Sequence, residues 1–512
     1  MNKKRLLAFL LACIFLVCPL ASCGTDEDDE NDGGGIGEDG SINWDDVDFS
    51  GATLKYAISV NQNEEVTYGP SNLYLEGPDG TTTDEVLKKV KIRNNQVEKD
   101  LNVKIVYDHV DKWYDGVFED LSLKVKGSAE DAPDLYNNDT YGLNRAILAG
   151  LLMNVNNPTN GKGEELTSYF DFDYEGWNYD FMQGATLDSS KVYLLVGDYH
   201  LDVIRMAWVL YVNKTMFDQN AQALNLGVSE VSGFYKYVLN GIWDYDMMVD
   251  ICRKIWQDDG ESKERADAKD SRVGLAINHV SMGIFSSSTC VTTFYLDKDG
   301  KASLIDGIDE MNRMASKARL IKDNYRNGDG IYYEYDVISS TNYFTDANFL
   351  FAHSVLGEME SKAMREVKFE KGLVPLPKYD NSRQEKYHTM VHDQAEVTAI
   401  PVTVRNFAAA SAFMQYANEL SRPVLEEYYE YSLKFKYNED PAIRSMIDLV
   451  YDTIDKPFGM QFKTLILEYA PSEVSDLSSG IASNSISTLY DSNRDAYRTA
   501  LNKALEAFNK LP

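Results

Sequence analysis

Two histidines four residues apart, His388 and His392, with Asp393 beside the second, come nearest in this 512-residue chain to reactive machinery. On a helix that spacing puts both imidazoles on one face, where they could ligate zinc. The glutamate of a zinc-protease helix is missing, however, and the segment runs into a strand-like stretch, so the pair reads as structural. Carboxylates such as Asp244 and Asp246 could carry glycosidic cleavage only if held at a fixed separation across a cleft, and among 81 acidic residues such pairs arise by chance. The chain has no Gly-x-Ser-x-Gly, no phosphate loop and no Cys/His arrangement for nucleophilic attack. Neither a catalytic residue, a metal site nor a cofactor is expected. Binding chemistry is the better prospect: aromatic rings offer apolar faces with polar edges, and tyrosine alone occurs 33 times.

The elements that would position such groups follow from periodicity. Leu54 to Val60 carries bulky apolar residues at alternate positions and reads as a strand leading into the polar loop Asn61-Gln62-Asn63. Thr82-Thr83-Asp84-Glu85 fits a capping box for a helix reaching about Asp100, and Val103 to Tyr107 is the next strand. A helix over about Trp113 to Val125 and a short strand at Pro133 to Asn137 complete the alternation. That order predicts a parallel sheet with right-handed crossovers, whose ligands sit beyond the strands' carboxyl ends. Asn61 and the loop Asn137 to Tyr141 then share one rim, although Asn61 also suits a plain turn. Further on, Val192 to Val196 and Met206 to Val212 are apolar strands, a helix starts near Asp244, and Gly274 to Asn278 is another strand. Asp297 to Gly300 reads as a hairpin turn. Between the two apolar strands, Asp198, Tyr199, His200 and Arg205 are polar, as a cleft or a solvent loop requires. Trp177 and Trp243 are stacking platforms or core. His353, inside an apolar run, reads as a buried histidine.

Composition bounds the rest. A body from about Asp48 to Pro512 is too long for one ordinary core and suggests two lobes. The net charge of −31, with no basic cluster against it, excludes nucleic acid as a partner. At the amino end, Lys3, Lys4 and Arg5 precede an apolar run, Leu6 to Leu20, too short to span a membrane but suited to a signal peptide. Leu20-Ala21-Ser22-Cys23 resembles the bacterial lipobox, which implies cleavage after residue 22 and a lipid on Cys23. The mature chain would be anchored to the outer face of the cell membrane. Residues 23–47, rich in Asp, Glu and Gly, are expected to form a disordered tether. Of the remaining cysteines, Cys252 and Cys290 could pair outside the cell, but a body of this size does not need the link, and two buried thiols are expected.

The segments PDLYNNDTYGLNRAILAGLLMNV (133–155), YLLVGDYHLDVIRMAWVLYVNKTMFD (193–218), GIWDYDMMVDICRKI (241–255), KGLVPLPKYD (371–380), AIPVTVRNFAAASAFMQYANEL (399–420) and EYYEYSLKFKYNEDPAIRSMIDLVYD (427–452) stand in that order along the chain. Together they resemble the family 1 extracellular solute-binding proteins, the lipid-anchored receptors of ABC importers. The resemblance implies an α/β, two-lobed type II periplasmic-binding fold with a hinge and an inter-lobe cleft. Lobe one would comprise 51–155 plus 388–440, and lobe two 156–387 plus 441–512. It also implies a monomeric receptor that carries a small polar solute, a sugar or oligosaccharide, to an importer permease. Asp139 and Tyr141 would lie on the lobe-one rim, the carboxylate accepting hydroxyls and the ring stacking on a sugar face, unless Asp139 merely caps the following helix. Asn61, Asp198, Tyr199, Arg205, Trp177 and Trp243 complete the expected ligand contacts. The alternatives are a lipid-anchored glycoside hydrolase and a surface glycan-binding lipoprotein without an importer.

Overall fold

The computed structural model describes residues 32–60, 72–127, 132–257, 272–277, 281–309, 311–313, 331–333, 344, 348–436, 440–454, 458–474, 477 and 485–511. The signal segment, Cys23 and Asn61 lie outside them.

The strands are β1 (Ala52–Ser59), β2 (Val103–Val110), β3 (Leu135–Asp139), β4 (Leu194–Leu195), β5 (Trp208–Asn213), β6 (Val273–Ile277), β7 (Phe294–Leu296), β8 (Ala302–Leu304), β9 (Ile331–Tyr333), β10 (Phe349–Val355), β11 (Lys371–Pro375) and β12 (Glu396–Ala399). They form two five-stranded sheets, β2-β1-β3-β12-β4 and β11-β5-β10-β6-β9, and a β7-β8 hairpin that turns at 297–300. Position in the sheet decides the pattern. Edge strand β2 buries Val103 and Ile105 and exposes Lys104 between them, whereas β3 and β5, flanked on both sides, are buried at every residue. The helix Glu85–Asp100 packs Val86, Val90 and Val97 inward. Its N-cap is Asp84, which accepts from the Leu87 amide at 3.1 Å, while Thr82 supports the cap by accepting from the Asp84 amide rather than capping the helix itself.

The chain leaves the first lobe later than its sequence suggests. β4 pairs antiparallel with β12 in the first sheet, so residues 156–200 stay with lobe one and the crossing begins at Leu201. Two residues of strand are too few to show a period. The carboxyl-terminal stretch is also divided. Helix Pro441–Asp452 packs on β11 of the second sheet, but helix Ile486–Phe508 touches both β8 and the lobe-one helix Thr140–Leu148, with Phe508 edge-on to Tyr193 at 5.8 Å. Nor is the acidic leader wholly free. From Asp32 onward it lies on lobe one, where Trp44 stacks on Tyr416 at 4.6 Å and its indole nitrogen donates to Glu419 at 2.8 Å. Gly33, at φ +82°, approaches Phe49 and Tyr169 where a Cβ would collide with both. Cys252 is a buried free thiol and Cys290 an exposed one, so burial holds for only the first.

Candidate functional site

Two crossing segments join the lobes side by side. Ala207 pairs antiparallel with Val391, the Trp208 amide donates to the Met390 carbonyl at 2.8 Å, and the His392 amide donates to Met206 at 2.9 Å. A third strand of chain supports them, since the Thr389 amide donates to Thr453 at 2.7 Å. Register fixes what faces this hinge. Val355, the carboxyl end of β10, stands opposite Trp208, and Asp139, the carboxyl end of β3, stands opposite Glu396. Both sheets therefore direct the carboxyl ends of their parallel strands toward the crossing, where α/β sheets bind ligands.

On the lobe-one side the rim is aromatic. Trp113 is 54% exposed, and Tyr114 follows at φ +52°, a strained conformation held by its amide donating to Asp139 Oδ2 at 2.7 Å. The other oxygen of Asp139 accepts from the Gly142 amide at 2.7 Å, capping helix Thr140–Leu148. Burial raises the Asp139 carboxyl to about 6, against the pull of both hydrogen bonds. With each oxygen so engaged, Asp139 shapes the rim rather than presenting a free carboxylate. Tyr141 stands edge-on to Tyr114 with ring centres 5.4 Å apart, and the Arg145 guanidinium lies 5.6 Å from its ring. The Gln394 amide donates to the Tyr114 hydroxyl.

The hinge adds a second aromatic group. Trp208 is sandwiched between His353 at 4.4 Å and His392 at 5.1 Å. Its indole nitrogen is buried with no acceptor among the described residues. Burial, with His392 adding to it, lowers His353 to about 3, so this ring is a neutral stacking partner. His392 Nδ1 lies 2.9 Å from Asp393 Oδ1. Burial opposes ionisation of Asp393, but that contact prevails and holds the carboxyl below its usual range. His388 and His392 lie on extended chain and not on a helix, and among the described residues there is no group of three or more His, Cys, Asp or Glu that could hold a metal ion.

The remaining candidates do not join this rim. Arg205 is 2% exposed beneath the hinge, 3.2 Å from both Asp202 Oδ1 and Glu360 Oε1, and its guanidinium lies 4.5 Å over the Tyr74 ring. Tyr74 and Tyr428 both donate to Glu360, at 3.2 and 2.5 Å. Burial acts to lower the Arg205 pKa, yet Glu360, Tyr74 and Asp202 hold it well above the usual value, so this is a saturated ion network and not a ligand arm. Tyr199 is core, its hydroxyl donating to the Leu195 carbonyl at 2.6 Å. Trp243 is wholly buried, with its nitrogen on the Pro375 carbonyl, and cannot be a platform. Trp177 and Asp198 line a separate cavity behind the hinge. Sequence reasoning missed Trp113, Tyr114, Trp208 and Gln394. Trp113-Tyr114, just past the second strand, was the available signal.

No family model matches the chain. No curated protein matches it by sequence. Solved structures do align. The galacto-N-biose/lacto-N-biose I-binding protein of the ABC transporter from Bifidobacterium longum, in complex with lacto-N-biose, superposes with a TM-score of 0.51 at 13% identity over 90% of this chain and 98% of its own. A cyclo/maltodextrin-binding protein complexed with maltotetraose gives 0.49 at 12% identity, over 89% and 96% of the two chains. An ABC substrate-binding protein from Listeria monocytogenes in complex with cycloalternan gives 0.48 at 12% identity, over 90% and 98%. The likeness is one of fold: this chain has the two-lobed α/β architecture of the Bifidobacterium binding protein.

Proposed function

We propose that the chain is a non-enzymatic solute receptor that holds a sugar or oligosaccharide between its lobes and presents it to an ABC importer permease. The observation that carries this reading is the convergence of both sheets' carboxyl ends on one hinge, bordered by Trp113, Tyr114, Tyr141 and Trp208. The Trp113, Tyr114 and Tyr141 rings suit the apolar faces of a pyranose, and Gln394, whose amide meets the Tyr114 hydroxyl, stands beside them where sugar oxygens would lie, while Trp208 is buried between two imidazoles and supports the hinge. The binding proteins that share the fold, with their bound saccharides, support the same ligand class. Closure of the lobes over the guest would be the state the permease reads. The amino-terminal signal, with lipidation at Cys23, would keep the monomeric receptor on the outer face of the membrane.

A thermal-shift and calorimetric panel of mono- and oligosaccharides on the full chain tests the reading. A true ligand at a hundred times its dissociation constant stabilises by about 2.7 kcal/mol and is recovered unchanged. Failure of every saccharide to bind would overturn the assignment, and release of smaller sugars would favour the hydrolase.

A further inference from the structure

The turn Asp202–Arg205 has two faces. Asp202 and Arg205 belong to the Glu360 network, while Val203 and Ile204 border a cavity of about 350 Å3 on the opposite side. Trp177, Tyr179 and Asp198 come to that cavity from lobe one. Tyr451 and Ile454 come from the end of helix Pro441–Asp452, which packs on the second sheet. The cavity is thus walled by both lobes but lies apart from the Trp113–Trp208 rim.

Its lining selects a charge. Glu175, Asp180 and Asp198 border it, and no lysine or arginine does. Asp198 is half-buried, and no hydrogen bond among the described residues ends on its carboxyl; its main-chain amide donates to the Gly176 carbonyl at 2.9 Å. A half-buried acid beside aromatic rings is the chemistry that receives a substituted ammonium: the carboxylate meets the charge and the rings meet the alkyl groups. A hydrated sugar has less use for it.

We propose that this rear cavity binds a small organic ammonium ion and, because both lobes wall it, biases the hinge between its open and closed arrangements. Burial, and secondarily Glu175, raises the Asp198 carboxyl to about 7. The other titratable groups around it are Asp180 and Tyr179 from the same loop, His200 beyond it, and Tyr174. Across the cavity stand Tyr451, which burial pushes up to about 12, and Asp452. Arg422, 3.5 Å from Glu175, acts from outside. Asp198 changes charge near neutrality, so cation binding should strengthen as pH rises through 7.

The test is calorimetric titration of the full chain with tetramethylammonium chloride and with putrescine, against sodium chloride at equal ionic strength. Saturable binding at pH 8 is expected, about tenfold weaker at pH 6 as Asp198 takes up a proton, and at least tenfold weaker in Asp198→Asn. Binding that ignores both the pH change and the substitution, or none beyond the sodium control, overturns the proposal. Should Asp198→Asn fail to fold, the pH series on the unaltered chain decides alone. Because no saccharide enters the experiment, its outcome is independent of the sugar-receptor reading.

Discussion

The two faces of the turn Asp202–Arg205 bury charge in opposite ways. On the front, Arg205 meets Asp202, Glu360 and the face of Tyr74, so its charge is answered from every side. On the rear, Asp198 has no hydrogen-bonded partner among the described residues, and burial, with Glu175 adding to it, raises its carboxyl to about 7. A saturated buried ion fixes structure, whereas an unanswered one costs stability and is kept where something else can answer it.

Removing Glu360 should break the contrast most severely. Glu360→Ala leaves Arg205 with Asp202 and the Tyr74 ring, and we expect a loss of about 3 kcal/mol in urea unfolding. A variant as stable as the parent would mean that the front network is ornamental. Asp139→Ala comes next, because it releases both the helix cap and the Tyr114 amide. Roughly 2 kcal/mol should be lost, with the strained rim relaxing. Trp113→Ala should leave urea stability within about 0.5 kcal/mol but weaken saccharide binding about tenfold in calorimetry, or about 1.4 kcal/mol. Unchanged affinity would remove this ring from the ligand site.

Asp198→Asn sharpens the comparison by its sign. The folded pKa of Asp198 lies above the unfolded value, so the folded chain binds the extra proton between about pH 4 and 7. Its contribution is unfavourable above pH 7 and vanishes below pH 4. The variant should therefore gain about 1 kcal/mol at pH 8, a figure reduced for the carboxyl's partial contact with solvent. It should match the parent at pH 4, as paired urea titrations would show. A loss at pH 8 would mean that Asp198 has a favourable partner.

The sheet strands of the first lobe were legible because Leu54 to Val60 and Val103 to Tyr107 alternate on a half-buried surface. Strand β3 was also visible, although its Asn137 and Asn138 are fully buried, because it sits between helix-forming stretches. β4 joins lobe one although its neighbours in sequence suggest lobe two, because two residues of strand take their place from β12, about 200 positions later in the chain. The site was harder for the same reason. Trp208 and His392 stack only because Ala207 pairs with Val391, and no local pattern encodes that register. Asp139 illustrates the limit from the other side: its type fits a ligand arm and a helix cap equally, and only the amides of Tyr114 and Gly142 decide for the cap.

Trp44 carries a mechanical consequence. Its ring and the chain from Gly33 onward are fastened to Tyr416, Glu419 and Tyr169, all on the first lobe. Any pull applied at the amino end would thus be borne by that lobe, and would reach the second lobe only through the crossing chains and the carboxyl-terminal helix.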